Sequence, residues 1–463
     1  MPHASRRAPI AGADAAPPRD DAACAHSHFH LVRRVRGIAE YRHPDNALTV
    51  LIAPMPAVPA ALLMLTYGVG SRHEPDGRKG ASHLLEHMMF KGSAAFDERD
   101  DTSIHEVFRA VGAQANATTW LDRTQYFDLV PTHTLELAVA VEADRMQRLR
   151  IDADDLDAER RVVLNEHDQR IGDPFERLHQ AVWRAAFAGH PYGNPVIGGR
   201  DDILALRRDD LLDHYRRHYR PDNVTITVFG DIEPALTLAL LDRYFAPVRA
   251  ADVAPEPPRA ERMPRTETRV SIERAQATPS LLLAYPSAAG ASRDADALEL
   301  LGLALAGGRR SRLHRALTTT GVASHVWSRT ARLREAGLFE VQAVLGPDRA
   351  FDRCERIVRD AIAAIREHGI SQDELERVRG HARGSLVTSR DGPVAIAMQL
   401  NEAIAAGDWT SCAEGVDRIE AVTAADVQRV ARRYLADDGL TVGCLRPAAR
   451  RGRHRRTDAI AQR

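Results

Sequence analysis

The chain has 463 residues, too many for one ordinary domain, and its length alone implies roughly two to four. Hydrophobic residues make up 44% and charged residues 27%, an ordinary globular balance. A formal net charge of -1 gives no bulk attraction to nucleic acid or to a membrane surface. The cysteines Cys24, Cys354, Cys412 and Cys444 lie far apart and form no CxxC pair. That excludes a disulfide framework and a cysteine zinc site, so any bound metal must be held by histidine and carboxylate.

No run approaches the ~20 apolar residues of a membrane helix, so no membrane span is expected. Residues 1–30 contain Pro17, Pro18, Asp20 and Asp21 but no apolar h-region, so the cytoplasm is the expected location. An upstream start would allow a periplasmic leader instead. This leading segment reads as disordered, rich in Ala, Pro, Arg and Asp. It ends in Cys24, His26, His28 and His30, read as chance ligand-type residues on an exposed tail.

The first domain is expected over residues 31–246. Leu48–Ala53 and Ala61–Gly68 read as strands, and Arg78–Phe90 has helical periodicity. Ile104–Val111 reads as a helix closed by Gly112, and Ala115–Val130 is strand-rich. Long helices follow at Leu135–Leu149 and Ala153–Ile171, the second capped by Asp152 or a nearby aspartate. Prolines from Pro247 to Pro264, including Pro255, Pro257 and Pro258, rule out a helix or central strand. Residues 247–264 are therefore expected to link two domains, the second spanning 265–446. Residues 447–463 form a basic tail, most of whose arginines fall in the run Arg446–Arg456, read as solvated.

Both domains are expected to close with a helix and then a strand, Asp209–Tyr219 with Val224–Phe229 and Ala425–Leu435 with Leu440–Leu445. These endings align without a gap. Ile203 falls on Ile419, Asp210 on Asp426, Arg216 and Arg217 on Arg432 and Arg433, and Thr225 on Thr441. The constant shift of 216 (419 − 203) points to an internal duplication. Strands mixed with long helices in each half indicate an α+β fold, two homologous sandwiches of a mixed sheet packed with helices.

The run Ala81-Ser82-His83-Leu84-Leu85-Glu86-His87 holds the pattern HxxEH. Positions four apart share a helix face, so His83 and His87 can present two imidazoles to one ion. Glu86 projects from the same side, where it can take a proton from a metal-bound water. A peptidase zinc site needs a third protein ligand. The segment from Glu159 to Glu166 offers two carboxylates on one helix face, and spacing does not choose between them.

Beyond these residues the chain resembles the pitrilysin or insulinase family of metallopeptidases, whose HxxEH inverts the commoner HExxH. It is most similar to the bacterial members of the processing-peptidase type. Tyr67-Gly68-Val69-Gly70-Ser71-Arg72-His73-Glu74 and Met89-Phe90-Lys91-Gly92-Ser93 flank the HxxEH segment as in that family. Gly112, Asn116, Ala117, Thr119, Asp122, Thr124 and Tyr126 match its edge-strand signature, and Val162-Val163-Leu164-Asn165-Glu166 its distal helix. His190-Pro191-Tyr192-Gly193, Tyr219-Arg220-Pro221-Asp222-Asn223 and Gly230-Asp231 complete the first half, and Gly307–Leu313 resembles a family stretch in the second.

The resemblance implies one Zn2+ per chain, held by His83, His87 and Glu166, with Glu86 as general base and Glu159 supporting. It implies a catalytic first half and a metal-free second half. It implies that peptide substrates lie as an added strand against Asn116 and Ala117, favouring flexible peptides or unfolded segments. It implies a dimer, either with itself or with a metal-free homologue. The chain departs from the family at Leu317–Ser324, where several relatives carry an Arg and a Tyr that face the zinc. The alternatives are a dedicated precursor-processing peptidase and a non-catalytic scaffold subunit. Scaffold members usually lack part of HxxEH or of the distal glutamate pair, all of which this chain retains.

Overall fold

A computed structural model describes residues 27–448 apart from positions 98, 100, 101, 251–265, 276, 347 and 349. Seven strands form the first sheet: β1 (His30–Val35), β2 (Ile38–Arg42), β3 (Thr49–Pro54), β4 (Ala61–Tyr67), β5 (Gln114–Thr119), β6 (Thr124–Val130) and β7 (Val224–Gly230), in the order β1-β2-β3-β7-β4-β6-β5. Five form the second: β8 (Thr268–Arg274), β9 (Ser280–Pro286), β10 (Ala323–Thr330), β11 (Leu338–Leu345) and β12 (Thr441–Pro447), in the order β10-β11-β9-β12-β8. Composition sets these places. β4 is apolar from Ala61 to Leu65 and buried along its whole length, as a central strand covered on both faces must be. β5, with the sequence QANATT, is polar and lies at the sheet edge.

The second sheet repeats five strands of the first. β3 pairs with β7 in parallel, as β8 does with β12, and β7, β4, β6 and β5 then run antiparallel, as do β12, β9, β11 and β10. The closing helices keep the sequence shift: Arg208–His218 and Ala424–Tyr434 differ by 216 at both ends (424 − 208, 434 − 218). The aligned aspartates also do the same work. Asp210 accepts from the Arg207 amide at 2.9 Å and Asp426 from the Thr423 amide at 3.0 Å, each closing its helix N-terminus.

Each half covers one face of its sheet with its own helices and lends a helix to the other half. Leu178, Val182 and Trp183 of the helix Pro174–Ala186 pack on Leu282, Ala284 and Leu445 of the second sheet. The contact is close enough that a Cβ on Gly443 would lie 2.3 Å from Val182 Cγ2. In return Ala397 and Leu400 of the helix Gly392–Ala405 pack on Leu51, Leu62, Met64 and Phe229 of the first sheet. Burying a leucine in this way contributes about 1.5–3 kcal/mol, so each half depends on the other.

Several sequence expectations need correction. His30 already belongs to β1, and His28 bonds Asp242, so the leader ends before residue 30. Residues 1–26 and 449–463, 251–264 of the linker and the adjoining position 265 lie outside the described residues, while Val248 packs into the first core. Asp152 is the N-cap of the helix Ala153–Gly172 but caps no amide. Its carboxylate pairs with Arg99 at 2.7 Å instead. The HxxEH helix begins at Ala81 rather than at Arg78, because Gly80 adopts φ 91°. Among the described residues, no helix is long and apolar enough to cross a membrane.

Candidate metal centre

The helix Ala81–Met88 is fixed from both sides. Leu84, Leu85 and Met88 are fully buried in the first core, which turns His83 and His87 toward the helix Ala153–Gly172 and leaves Glu86 to meet β5. At its start, the Glu74 carboxylate accepts from the amides of Gly80 and Ser82, both at 2.7 Å. An acceptor bearing charge satisfies helix amides that would otherwise have no partner. Burial nonetheless pushes the Glu74 carboxyl up to about 7.

The facing helix brings both glutamates to the histidines, but to different atoms. Glu166 Oε2 lies 3.5 Å from His83 Nε2 and 3.8 Å from His87 Nε2, and the three side chains can place one ligand atom each within 4.8 Å of one another. Glu159 Oε2 instead bonds His87 Nδ1 at 3.0 Å, on the far side of the ring, while its other oxygen takes Lys91 Nζ at 2.9 Å. A carboxylate there orients the imidazole and leaves Nε2 facing Glu166. Glu166 Oε1 is held by Arg170 at 2.8 Å.

The electrostatics suit a cation. Burial pulls His83 down to about 4 against the attraction of Glu166, so the ring is neutral with a lone pair to offer. His83 Nδ1 is buried with no hydrogen-bond partner. Burial also disfavours protonated His87, but Glu159, Glu86 and Glu166 outweigh it and raise its pKa. The Glu159 carboxyl is held down, chiefly by the His87 hydrogen bond. Glu86 is lifted by burial, and its Oε2 accepts from the Thr119 hydroxyl on β5. Its raised pKa makes it a better base near neutral pH than an ordinary glutamate.

Asn116 is exposed on the free edge of β5, and its Oδ1 accepts from the Ala117 amide at 2.8 Å. Leu317–Ser324 makes no hydrogen bond or ion pair to the histidines or glutamates of this site among the described residues. It leads into β10, the counterpart of β5. After β9 the helix Arg293–Ala306 takes the place that Ala81–Met88 has after β4. It presents Leu298, Leu301, Ala304 and Leu305 and carries no histidine.

Lys91, Arg170 and the contacts of Thr119 and Glu74 were not assigned from sequence. Lys91 lies four residues after His87 and Arg170 four after Glu166, the spacing of helix neighbours, which was a usable signal. Another ligand-type trio, His28, His43 and Asp242, includes one of the N-terminal histidines. His43 Nδ1 accepts from the Asp45 amide at 3.2 Å, so the proton sits on Nε2 and is donated to Asp242 Oδ1 at 3.0 Å. That nitrogen is a donor rather than a ligand. Cys24 and His26 lie outside the described residues.

Behind the HxxEH helix, His214 is fully buried with Nε2 3.1 Å from Ser82 Oγ, and His73 and His218 adjoin it. Burial, then His218, His73 and Arg217, hold His214 well below its ordinary range, while burial and then Arg217 and Arg220 hold His218 at about 4. In the unfolded chain each titrates near ~6.5. Below that pH the unfolded state binds protons that these two folded histidines refuse, so their contribution to stability falls as pH drops from about 6.5 toward 4, opposed by the raised groups Glu74, Glu86 and His87. A melting series over this window is expected to fall less steeply for His218→Gln than for the parent chain.

Sequence models of two families match. The one described as Insulinase (Peptidase family M16) covers residues 49–200, and the one described as Peptidase M16 inactive domain covers 205–380. A Streptomyces coelicolor protein named as an uncharacterized zinc protease is 31% identical over 414 residues, spanning 88% of this chain and 89% of its own. Mitochondrial-processing peptidase subunit beta of Lentinula edodes is 25% identical over 413 residues, spanning 85% and 86%. The crystal structure of a protease from Helicobacter pylori shares the fold, with a TM-score of 0.81 at 22% identity over 91% of this chain and 100% of that one. With the two matches spanning most of its length, the chain belongs to the insulinase family of peptidases, family M16.

Proposed function

We propose that this chain is a zinc-dependent endopeptidase that hydrolyses peptide bonds in flexible peptides or unfolded segments. The observation that carries the reading is the convergence of His83 Nε2, His87 Nε2 and Glu166 Oε2, with the Glu86 carboxylate on the same helix face. Two neutral-capable imidazoles and one carboxylate form a donor set that suits zinc and leaves a position open. Zinc held there supplies a Lewis acid that lowers the pKa of water to about 7. In this reading His83, His87 and Glu166 are the ligands, and Glu159 orients His87. Glu86 accepts the proton of the attacking water and later hands it to the leaving amine. The Thr119 hydroxyl holds Glu86 in place for both transfers.

The free edge of β5 supports strand addition by substrate, beside Asn116 and Ala117. The Ala117 amide is occupied by the Asn116 side chain, so an incoming carbonyl takes over a donor that is already turned outward. Main-chain pairing asks for an extended segment rather than a particular sequence. A quenched, unstructured peptide is therefore expected to be cleaved by the zinc-loaded chain. N-methylation of the backbone amides beside the scissile bond is expected to cut the rate at least about ten-fold, since each methyl removes a ladder hydrogen bond and adds a clash. Equal cleavage of the methylated peptide would remove strand addition from the account.

A dimer is proposed as the working form, either with a second copy or with a metal-free homologue. The Lentinula edodes relative is named as a subunit, and no residue of this chain's own second half contacts the candidate centre from Leu317–Ser324 among the described residues. Light scattering is expected to give twice the chain mass alone, or after mixing with such a homologue. A fully active monomer would contradict this.

A further inference from the structure

A cavity of 470 Å3, open to solvent on one side, lies in the second half, bordered by the helices Arg293–Ala306, Gln372–Thr388, Gly392–Ala405 and Gly415–Ala421. Its volume falls within the ~300–1,000 Å3 of small-molecule sites. The walls are mostly apolar, formed by Leu386, Ala403, Ala406 and Ile419.

Asp296, Glu299 and Glu402 line it together with Arg332 and Arg390, and each of the three carboxylates already has an arginine partner. Asp296 receives Arg332 at 2.9 Å and Arg418 at 2.7 Å, and Glu299 receives Arg332 at 2.5 Å. Glu402 is held by Arg123 Nε at 3.0 Å. Arg390 differs: among the described residues it has no carboxylate partner. Its Nε bonds Gln399 Oε1 at 3.4 Å and its Nη2 the Cys412 carbonyl, both neutral acceptors. Those contacts, with Cys412 Sγ also 3.9 Å from Nη2, fix the plane of the guanidinium and leave Nη1 without a partner among the described residues. A planar guanidinium held in place beside an apolar void matches a carboxylate that carries an apolar chain.

We infer that this cavity binds a small apolar-chain carboxylate, its head group on Arg390 and its chain against Leu386, Ala403, Ala406 and Ile419. The site is separate from the candidate metal centre and does not depend on peptidase activity. Such a carboxylate can come from a free acid or from the C-terminal residue of an apolar peptide.

Calorimetric titration of the full zinc-loaded chain with decanoate, below its micelle concentration, tests the inference. Saturable one-site binding is expected, with decylamine at least about ten-fold weaker, because it cannot accept from the guanidinium. Arg390→Gln is expected to weaken decanoate binding by about ten-fold or more, as lost charge-assisted bonds do, without touching the metal ligands. Ala403→Trp, which fills the void and leaves every charge in place, is expected to remove binding. An N-acetylated leucyl-leucine with a free C-terminus that binds more tightly than decanoate would support the site and name the peptide as its source. Absence of saturable binding, equal affinity for decanoate and decylamine, or unchanged affinity in both variants would overturn it.

Discussion

Glu86→Gln is expected to lower kcat for peptide hydrolysis by roughly 10²–10⁴-fold while stoichiometric zinc stays bound. The substitution keeps shape and removes only basicity. The amide oxygen can still accept from the Thr119 hydroxyl, which donates to Glu86 Oε2 in the parent chain. None of the atoms that converge from His83, His87 and Glu166 is touched. Burial raises the pKa of Glu86, as a general base near neutral pH requires. Zinc analysis beside steady-state kinetics checks the point. A variant that hydrolyses at the parent rate would move the base elsewhere. One that loses zinc together with activity would make Glu86 a ligand.

Glu166→Gln and Glu159→Gln remove the same charge from the same helix, yet are expected to differ sharply. Glu159 touches only the outer nitrogen of His87 and Lys91, so its loss is expected to weaken zinc binding by roughly 10–100-fold, with activity recoverable at higher zinc. Glu166 faces both inner nitrogens, and its loss is expected to exceed that range and leave the chain inactive at any practical zinc concentration. Competition with a chelating dye measures both affinities. Equal weakening would mean that the two glutamates share one role.

This pair also marks the limit of reading the sequence. Seven residues of separation place Glu159 and Glu166 on one face, and both do face the histidines. Spacing could not tell which carboxylate meets Nε2 and which meets Nδ1. That depends on the rotation of the His87 ring, on the hold of Lys91 on Glu159 and on how the two helices cross. The HxxEH helix itself was legible because Leu84, Leu85 and Met88 recur at core spacing opposite the polar face. Its start was misplaced by three residues (81 − 78), because Glu74 reaches forward from a preceding turn to close the helix at Gly80.

The duplication was legible in the endings of the two halves, and the shift of 216 survives in the helices that carry Asp210 and Asp426. What stayed hidden was the exchange of helices. Pro174–Ala186 reads as an ordinary amphipathic helix, and nothing in its periodicity says that Leu178 and Val182 cover the other half's sheet. Such partners are fixed by close approach, as at Gly443 against Val182, which a one-dimensional pattern does not record. The same holds for Arg72, Asp122 and Tyr192, which the sequence offered only as motif residues. Tyr192 donates to Asp122 at 2.8 Å, and Arg72 reaches Glu335 of the second half at 3.0 Å, tying the halves beside the β5–β6 turn.

The most direct test of the central claim is peptide hydrolysis measured against bound zinc in one preparation, taken through chelation and stepwise metal return. The account predicts that activity falls to background as zinc is removed and rises in proportion to occupancy, reaching its plateau at one zinc per active chain. Hydrolysis that persists after zinc is gone, or a fully zinc-loaded assembly that cleaves nothing, would contradict it.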